Sequence, residues 1–565
     1  MSRLAALAAA ALVLGVPATA GGHAERRSYF PAFDTATRTF KAPFGSVPRY
    51  RARGPSRVVC KTDSRNRIVR AFAGRGRLLR KRLATLNRCR YRHIQQAVDA
   101  ARSGDRIFVM PGVYREEPSR AQPANDPRCA RMREETDVTV RRPRPIEVPT
   151  YEAQFRCPHM ENLIAVVGDD PNDPDRRCDR RCNLQIEGLG RRPTDVVIEN
   201  DQRKLNAIRA DRADGFYLKN VTLQYSEANN VYVHETNGFI LQDLVTRWVK
   251  EYGVLSFTSD QGLYDRIDTY GAGDSGVYPG SGPEPAVVNG RCRYGIEIRH
   301  VDAHDNNLGY SGTAGNGVWV HHSKFRDNAA GMVTDSIVPG HPGMPQNCAK
   351  WERNQISSNN MDIYGPESTR RCVDPATGMT WPFHARDPKL VCSTFPVPVG
   401  TGMVVNGNAN LVRDNLVYDN WRYGIVLAYL MAETEIRGTD STGQSDLPRE
   451  YDVNHDNQIT GNRMGVRPDG MPDRNGVDFL WDGEGSNNCW GANAGAPGRP
   501  VTYDAVGSFR AFPTCPQGSM FAQGDTVFQT SQDSCLTWDS SDYDNYPPCG
   551  RTPEESWWRR PPEPR

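Results

Sequence analysis

Asn230-Val231-Tyr232, Gly253-Val254-Leu255, Gly276-Val277-Tyr278, Gly309-Tyr310-Ser311 and Gly331-Met332-Val333 repeat one phrase, a small or amide residue followed by a short strand. The steps between them are 23, 23, 33 and 22 residues. About ten residues before each lies another short strand, at Asn220-Val221, Asp243-Leu244, Arg266-Ile267, Arg299-His300 and His321-His322. A period of this length with several brief strands per turn predicts a parallel β-solenoid, in which each coil hydrogen-bonds to the next. Small residues and Asn fall at the corners, where left-handed or tight-turn backbone is needed. A leucine-rich repeat requires a recurrent Leu-x-x-Leu-x-Leu that is missing, and a propeller blade needs about 40 residues. The longer step leaves room for one Pro- and Gly-rich loop, Gly280 to Gly290.

The pattern continues outward, upstream at 163–168, 184–188 and 196–200, and downstream at 359–365, 402–406, 415–418 and 424–427. Loops at 120–160 and 338–400 interrupt it, and long loops on a regular scaffold tend to carry function. Ahead of it, His93 to Ala101 places apolar residues at 94, 97, 98 and 101, which is helical spacing, and Ile107-Phe108-Val109 then reads as a strand closed by Pro111-Gly112.

The run Tyr91-Arg92-His93-Ile94-Gln95-Gln96-Ala97-Val98-Asp99-Ala100-Ala101, with Gly104-Asp105-Arg106-Ile107-Phe108-Val109 and Pro111-Gly112-Val113-Tyr114, resembles the N-terminal cap of right-handed parallel β-helix proteins of the pectin-lyase-like superfamily. Tyr270 to Tyr278 resembles their repeat units, and Phe479-Leu480-Trp481-Asp482-Gly483 with Asn488-Cys489-Trp490 is similar to the C-terminal ends of secreted bacterial members. The resemblance implies an all-β chain, a right-handed single-stranded parallel β-helix with a capping helix and loop insertions, over residues 91 to 485. It does not fix one activity, because the superfamily holds lyases, hydrolases, epimerases and adhesins.

Composition adds the flanks. The 565 residues carry a net charge of only +3, which hides two opposed parts. Arg26 to Arg92 holds 20 basic residues against two acids, and Thr401 to Arg565 holds 13 basic against 23 acidic. Residues 1–20, with Arg3, the apolar run Leu4 to Val16 and Ala18-Thr19-Ala20, read as a secretory signal peptide. Residues 21–90 read as a basic, poorly ordered arm, and 486–565 as a segment bearing Cys and Trp. Fourteen cysteines in an exported chain favour disulfides, with Cys489–Cys515 and Cys535–Cys549 as neighbour pairs. No later segment has the apolar length to span a bilayer.

Stacking suggests which side chains meet. Five residues before the small corner residue fall His304 and Arg326; four before fall Asp305 and Asp327; two before falls Asp274. Coils about 4.8 Å apart bring such positions together. Oxygen ligands from Asp305, Asp327 and Asp274 suit Ca²⁺, while His304, Arg326 and Lys324 are candidates to move a proton α to a sugar carboxylate and stabilise its charge. Trp248, Tyr270 and Tyr278 are candidate platforms for sugar faces. Adjacent His321 and His322 are expected to point to opposite faces of a strand. The expectation is a secreted monomer that takes an extracellular or cell-wall polysaccharide and not nucleic acid, since no phosphate-cradling glycine loop appears. It acts either as a lyase-like enzyme on an acidic polymer or as a non-catalytic wall-associated binding protein.

Overall fold

The computed structural model describes residues 26–31, 49–135, 147–172, 178–336, 342–363, 372, 391–394, 396–429, 454–505, 512–519, 524–525 and 528–529. The signal-peptide reading and the Cys535–Cys549 pairing lie outside them.

The chain winds as a parallel β-helix with three sheets. The first runs from Ser56–Val59 through Arg106–Val109 and Gln185–Gly188 to Cys489–Gly491. The second starts at Gly112–Tyr114 and ends at Arg463–Met464, sharing with the first the long bent strands Phe216–Gln224, Asn237–Val249 and Asp260–Ala272. The third stacks eleven strands from Asn162–Val167 to Tyr503–Ala505. The five repeated phrases are neighbours in this third sheet, with Val231, Val254, Val277, Tyr310 and Met332 in one register. Stacking one position on itself makes the core: Leu218, Leu241, Tyr264, Ile298, Val320, Trp351 and Val412 form a single row. All seven are wholly buried. Each such side chain contributes about 1.5–3 kcal/mol.

Corners are held by asparagine. Asn306, Asn328, Asn359, Asn420 and Asn475 stack between sheets 2 and 3; the Oδ1 of each after the first accepts from the backbone N–H and Nδ2 of the Asn one coil before. Asn354, Asn415, Asn462 and Asn493 do the same between sheets 1 and 2. Buried corner amides are thereby satisfied without water.

The helix Ile94–Asp99 closes the N-terminal end, with Ile94, Ala97 and Val98 in the core. Its Gln95 side chain donates to and accepts from the backbone of Ala165, in the first strand of sheet 3. That covers an otherwise open edge.

Two expectations need correction. The second half of the supposed arm is folded: Ser56–Val59 is the first strand of sheet 1, and helices Ser64–Ala71 and Gly76–Leu86 follow it. Charge density concealed an apolar stripe, because Ile68, Phe72, Leu79, Leu83 and Leu86 pack with Val58, Met110 and Leu189. The helix therefore begins before residue 91. The second correction is of register. Counting from the phrases aligns Gly271 with His304, but the Gly271 N–H donates to the carbonyl of Asp305 at 2.8 Å, and Tyr270 stacks on His304. The left-handed corner residue precedes the small residue by five in the 23-residue coils (Trp248, Gly271) and by four in the later ones (Asp305, Asp327).

Among the described residues six disulfides link Cys60–Cys89, Cys129–Cys157, Cys178–Cys182, Cys292–Cys348, Cys372–Cys392 and Cys489–Cys515. The last is the expected neighbour pair. No helix among the described residues is long and apolar enough to cross a membrane.

Candidate functional site

The outer face of sheet 3 is covered. Tyr151, from the loop at 120–160, packs on Ala165 and Val167, and Ile363, Val397 and Val399, from the loop at 338–400, pack on Val333, Val404 and Val426. Arg26 reaches under this cover to Asp211 and Glu235, both at 3.0 Å. The long loops thus roof sheet 3.

An open concavity lies instead along the corner between sheets 1 and 2. It has a volume of about 810 Å³ and runs past Gly188, Asn220, Asp243, Arg266, His300 and Arg326. Those residues sit on six successive coils, so five steps give a length of about 24 Å. Asn220, Asp243, Arg266 and His300 form one row of left-handed corner residues, with φ between 52° and 56°. Here the chain turns, so the side chains splay outward rather than alternate. The same effect overrides the expected divergence of His321 and His322. His322 has φ 50°, and the two Nδ1 atoms lie 2.7 Å apart.

Of the expected site residues, His304 and Arg326 line this groove. Strand pairing puts Asp302 and His304 beside Lys324 and Arg326. His304 is clamped: its Nδ1 lies 2.6 Å from Asp305 and its Nε2 3.0 Å from Asp268. Burial pulls this imidazole down, yet the bonds to Asp268 and Asp305 outweigh it and raise it to about 9. His304 is therefore an imidazolium at neutral pH, able to donate a proton but not to accept one. Arg326 makes a two-pronged contact with Asp302 at 2.9 and 3.0 Å, and a third to Asp327 at 2.7 Å. Such forked pairing fixes the guanidinium plane.

Asp305 and Asp327 do lie on adjacent corners, but each is engaged by the cation of its own coil. Asp274 instead hydrogen-bonds Tyr252 beyond the turn. Among the described residues no three His, Cys, Asp or Glu are placed to hold a metal ion, and this set does not fit Ca²⁺. Lys324 is exposed and does not line the groove. Trp248 and Tyr270 are half-buried in a stacked row: Tyr225 on Trp248 at 5.3 Å, Trp248 edge-on to Tyr270, and Tyr270 on His304 at 5.2 Å. Arg247 lies 4.3 Å over the Trp248 ring and donates to the Tyr270 hydroxyl. The row reaches the groove only at His304. Tyr278 faces away, 3% exposed in a cluster with Tyr232, Tyr252, Leu255 and Phe257 under the roof of sheet 3, so it offers no platform.

Sequence reasoning missed Arg82, Arg191, Lys219 and Arg266, all lining the groove. Arg266 and Lys219 share Asp243, at 2.6 and 3.8 Å. Arg82 and Arg191 pair with no acid among the described residues. The outward row was legible, since Asn220, Asp243 and Arg266 each head a repeated strand; Arg82 was not, because its helix was unforeseen.

No family model matches the chain, and no curated protein does. Among solved structures it is similar to the mannuronan C-5 epimerase AlgE4 A-module of Azotobacter vinelandii (12% identity, TM-score 0.38, 76% of this chain and 95% of that one). It is also similar to an alginate lyase from a Paenibacillus species (11%, 0.31, 74% and 96%) and to the pectate lyase Pel9A (11%, 0.30, 75% and 77%).

Proposed function

We propose that the protein binds an acidic polysaccharide outside the cell, along the groove between sheets 1 and 2. The observation that carries this is the lining: an open trough about 24 Å long in which seven basic side chains face four acidic ones. Carboxylated sugars lying there would meet guanidinium and imidazolium groups fixed in place by their carboxylate partners, which lowers the ordering cost of binding. Six disulfides support a location outside the reducing cytosol. The polysaccharide-acting proteins of similar fold are in keeping with the reading.

His304 and Arg326 act in it as fixed charges, because a protonated His304 is the wrong form for abstracting a proton. Affinity electrophoresis in gels of alginate, polygalacturonate and a neutral glucan tests the reading, with ultraviolet absorbance for unsaturated product run alongside. Retardation by the uronates, reduced by Arg266→Glu with Lys219→Glu, is expected. Equal mobility in all gels overturns it, and unsaturated product that disappears in His304→Gln replaces it with a lyase.

A further inference from the structure

The helical hairpin closed by Cys60–Cys89 is a charged surface with no role so far. Residues 61–92 hold twelve basic side chains and one acid, a net +11. Nine of the twelve are exposed, among them Arg65 and Arg70 on the first helix and Arg77, Arg80 and Lys81 on the second. The core does not account for them: the inward stripe is Ile68, Phe72, Leu79 and Leu83. So many like charges on 32 residues repel one another and cost stability unless an anion lies across them.

Position gives the surface a meaning. Arg82, on the second helix, reaches into the groove beside Glu187 and Lys219, so the hairpin stands at the groove's N-terminal end. Lys219 also lies 5.0 Å over the ring of Tyr50, which packs edge-on against Tyr217. The cationic lining therefore passes from the coils onto the helices through Lys219 and Arg82.

We propose that the hairpin is the outer part of the same binding surface, so that the ligand is a long acidic polysaccharide running from the groove across both helices. This rests on the groove reading. A chain filling the groove alone meets the hairpin only at Arg82, whereas a longer one gains its exposed charges at once, as a tethered second contact.

The test is made on the full-length protein with Arg65, Arg70, Arg77 and Arg80 changed to Glu, all exposed, and circular dichroism confirming the fold. The expected result is about tenfold weaker binding of high-molecular-weight alginate, four surface contacts of a few tenths of a kcal/mol each. Oligouronates short enough to fit the groove should bind unchanged, and salt should weaken the polymer more than the oligomer. The inference is overturned if the variant binds polymer as the parent does, or loses polymer and oligomer alike. It is also overturned if the variant loses only phosphatidylglycerol vesicles, which would make the hairpin a membrane contact. Loss of both ligands in Arg266→Glu with Lys219→Glu keeps the groove reading standing in each case, and its absence sinks that reading instead.

Discussion

Replacing Asn359 by Ala removes four hydrogen bonds from a fully buried corner. Its Oδ1 accepts from the Asn328 N–H at 3.3 Å and the Asn328 Nδ2 at 3.0 Å; its Nδ2 donates to the Phe325 carbonyl at 3.1 Å and to Asn420 Oδ1 at 3.0 Å. The alanine strands the Asn328 N–H and deprives the Phe325 carbonyl of a donor where water does not reach. Two such groups at about 1–3 kcal/mol each, with the emptied side-chain volume added, predict a loss of about 3–5 kcal/mol. Asn493 is the internal control. It makes the matching bonds to Asn462 and Ile459 but sits half-buried at its ladder's end, so water replaces it and Asn493→Ala is expected to cost under about 1 kcal/mol. Asn359→Asp keeps the shape but cannot donate, and sets oxygen against oxygen with a buried charge, so it should be no more stable than the alanine variant. Urea titration followed by circular dichroism gives the stabilities, and hydrogen exchange reports the Asn328 amide directly. Equal losses at Asn359 and Asn493, or a well-tolerated Asn359→Asp, would refute the account of the corners.

Three further outcomes are expected. Glu116 is wholly buried and accepts from the N–H groups of Ile94 and Gln95, and burial pushes its carboxyl up to about 7. Between about 4.5 and 7 the folded chain keeps a proton that the unfolded chain has lost, so stability falls as pH rises through this window, by at most about 3 kcal/mol, and is level above it. Urea midpoints across pH should flatten in Glu116→Gln, and an unchanged slope counts against that assignment. His304, raised to about 9, should titrate near that pH by NMR and contribute stability that is complete below about 6.5 and lost as pH rises through 9; a midpoint near 6.5 would mean that Asp268 and Asp305 do not clamp it. Cys60→Ser with Cys89→Ser opens a loop of 29 residues, a loss of about 3–4 kcal/mol by chain entropy, read as new protease cleavage within 61–92; resistance equal to the parent's would refute it.

Several features were open to reading because they are local or periodic. The phrases from Asn230 to Met332 fixed the period, the corner and the inward Val and Tyr rows, and the helical spacing from 94 to 101 marked the cap. The groove was half legible. His304 and Arg326 emerged from stacking, but the one-residue difference between Trp248-to-Gly253 and Asp305-to-Gly309 moved Tyr270, not Gly271, beside His304.

By itself, then, the sequence determined a parallel solenoid, since a repeat of 22 to 23 residues can bury its apolar positions only against its own copies. Tertiary structure alone decided which outward face stays open. The residues that roof sheet 3 and the helices that flank the groove lie far along the chain from what they touch, as Arg26 does from Glu235. It decided, too, what the charges do, because an imidazole's protonation depends on neighbours such as Asp268, 36 residues away in the chain, brought within 3.0 Å by the winding of the coils.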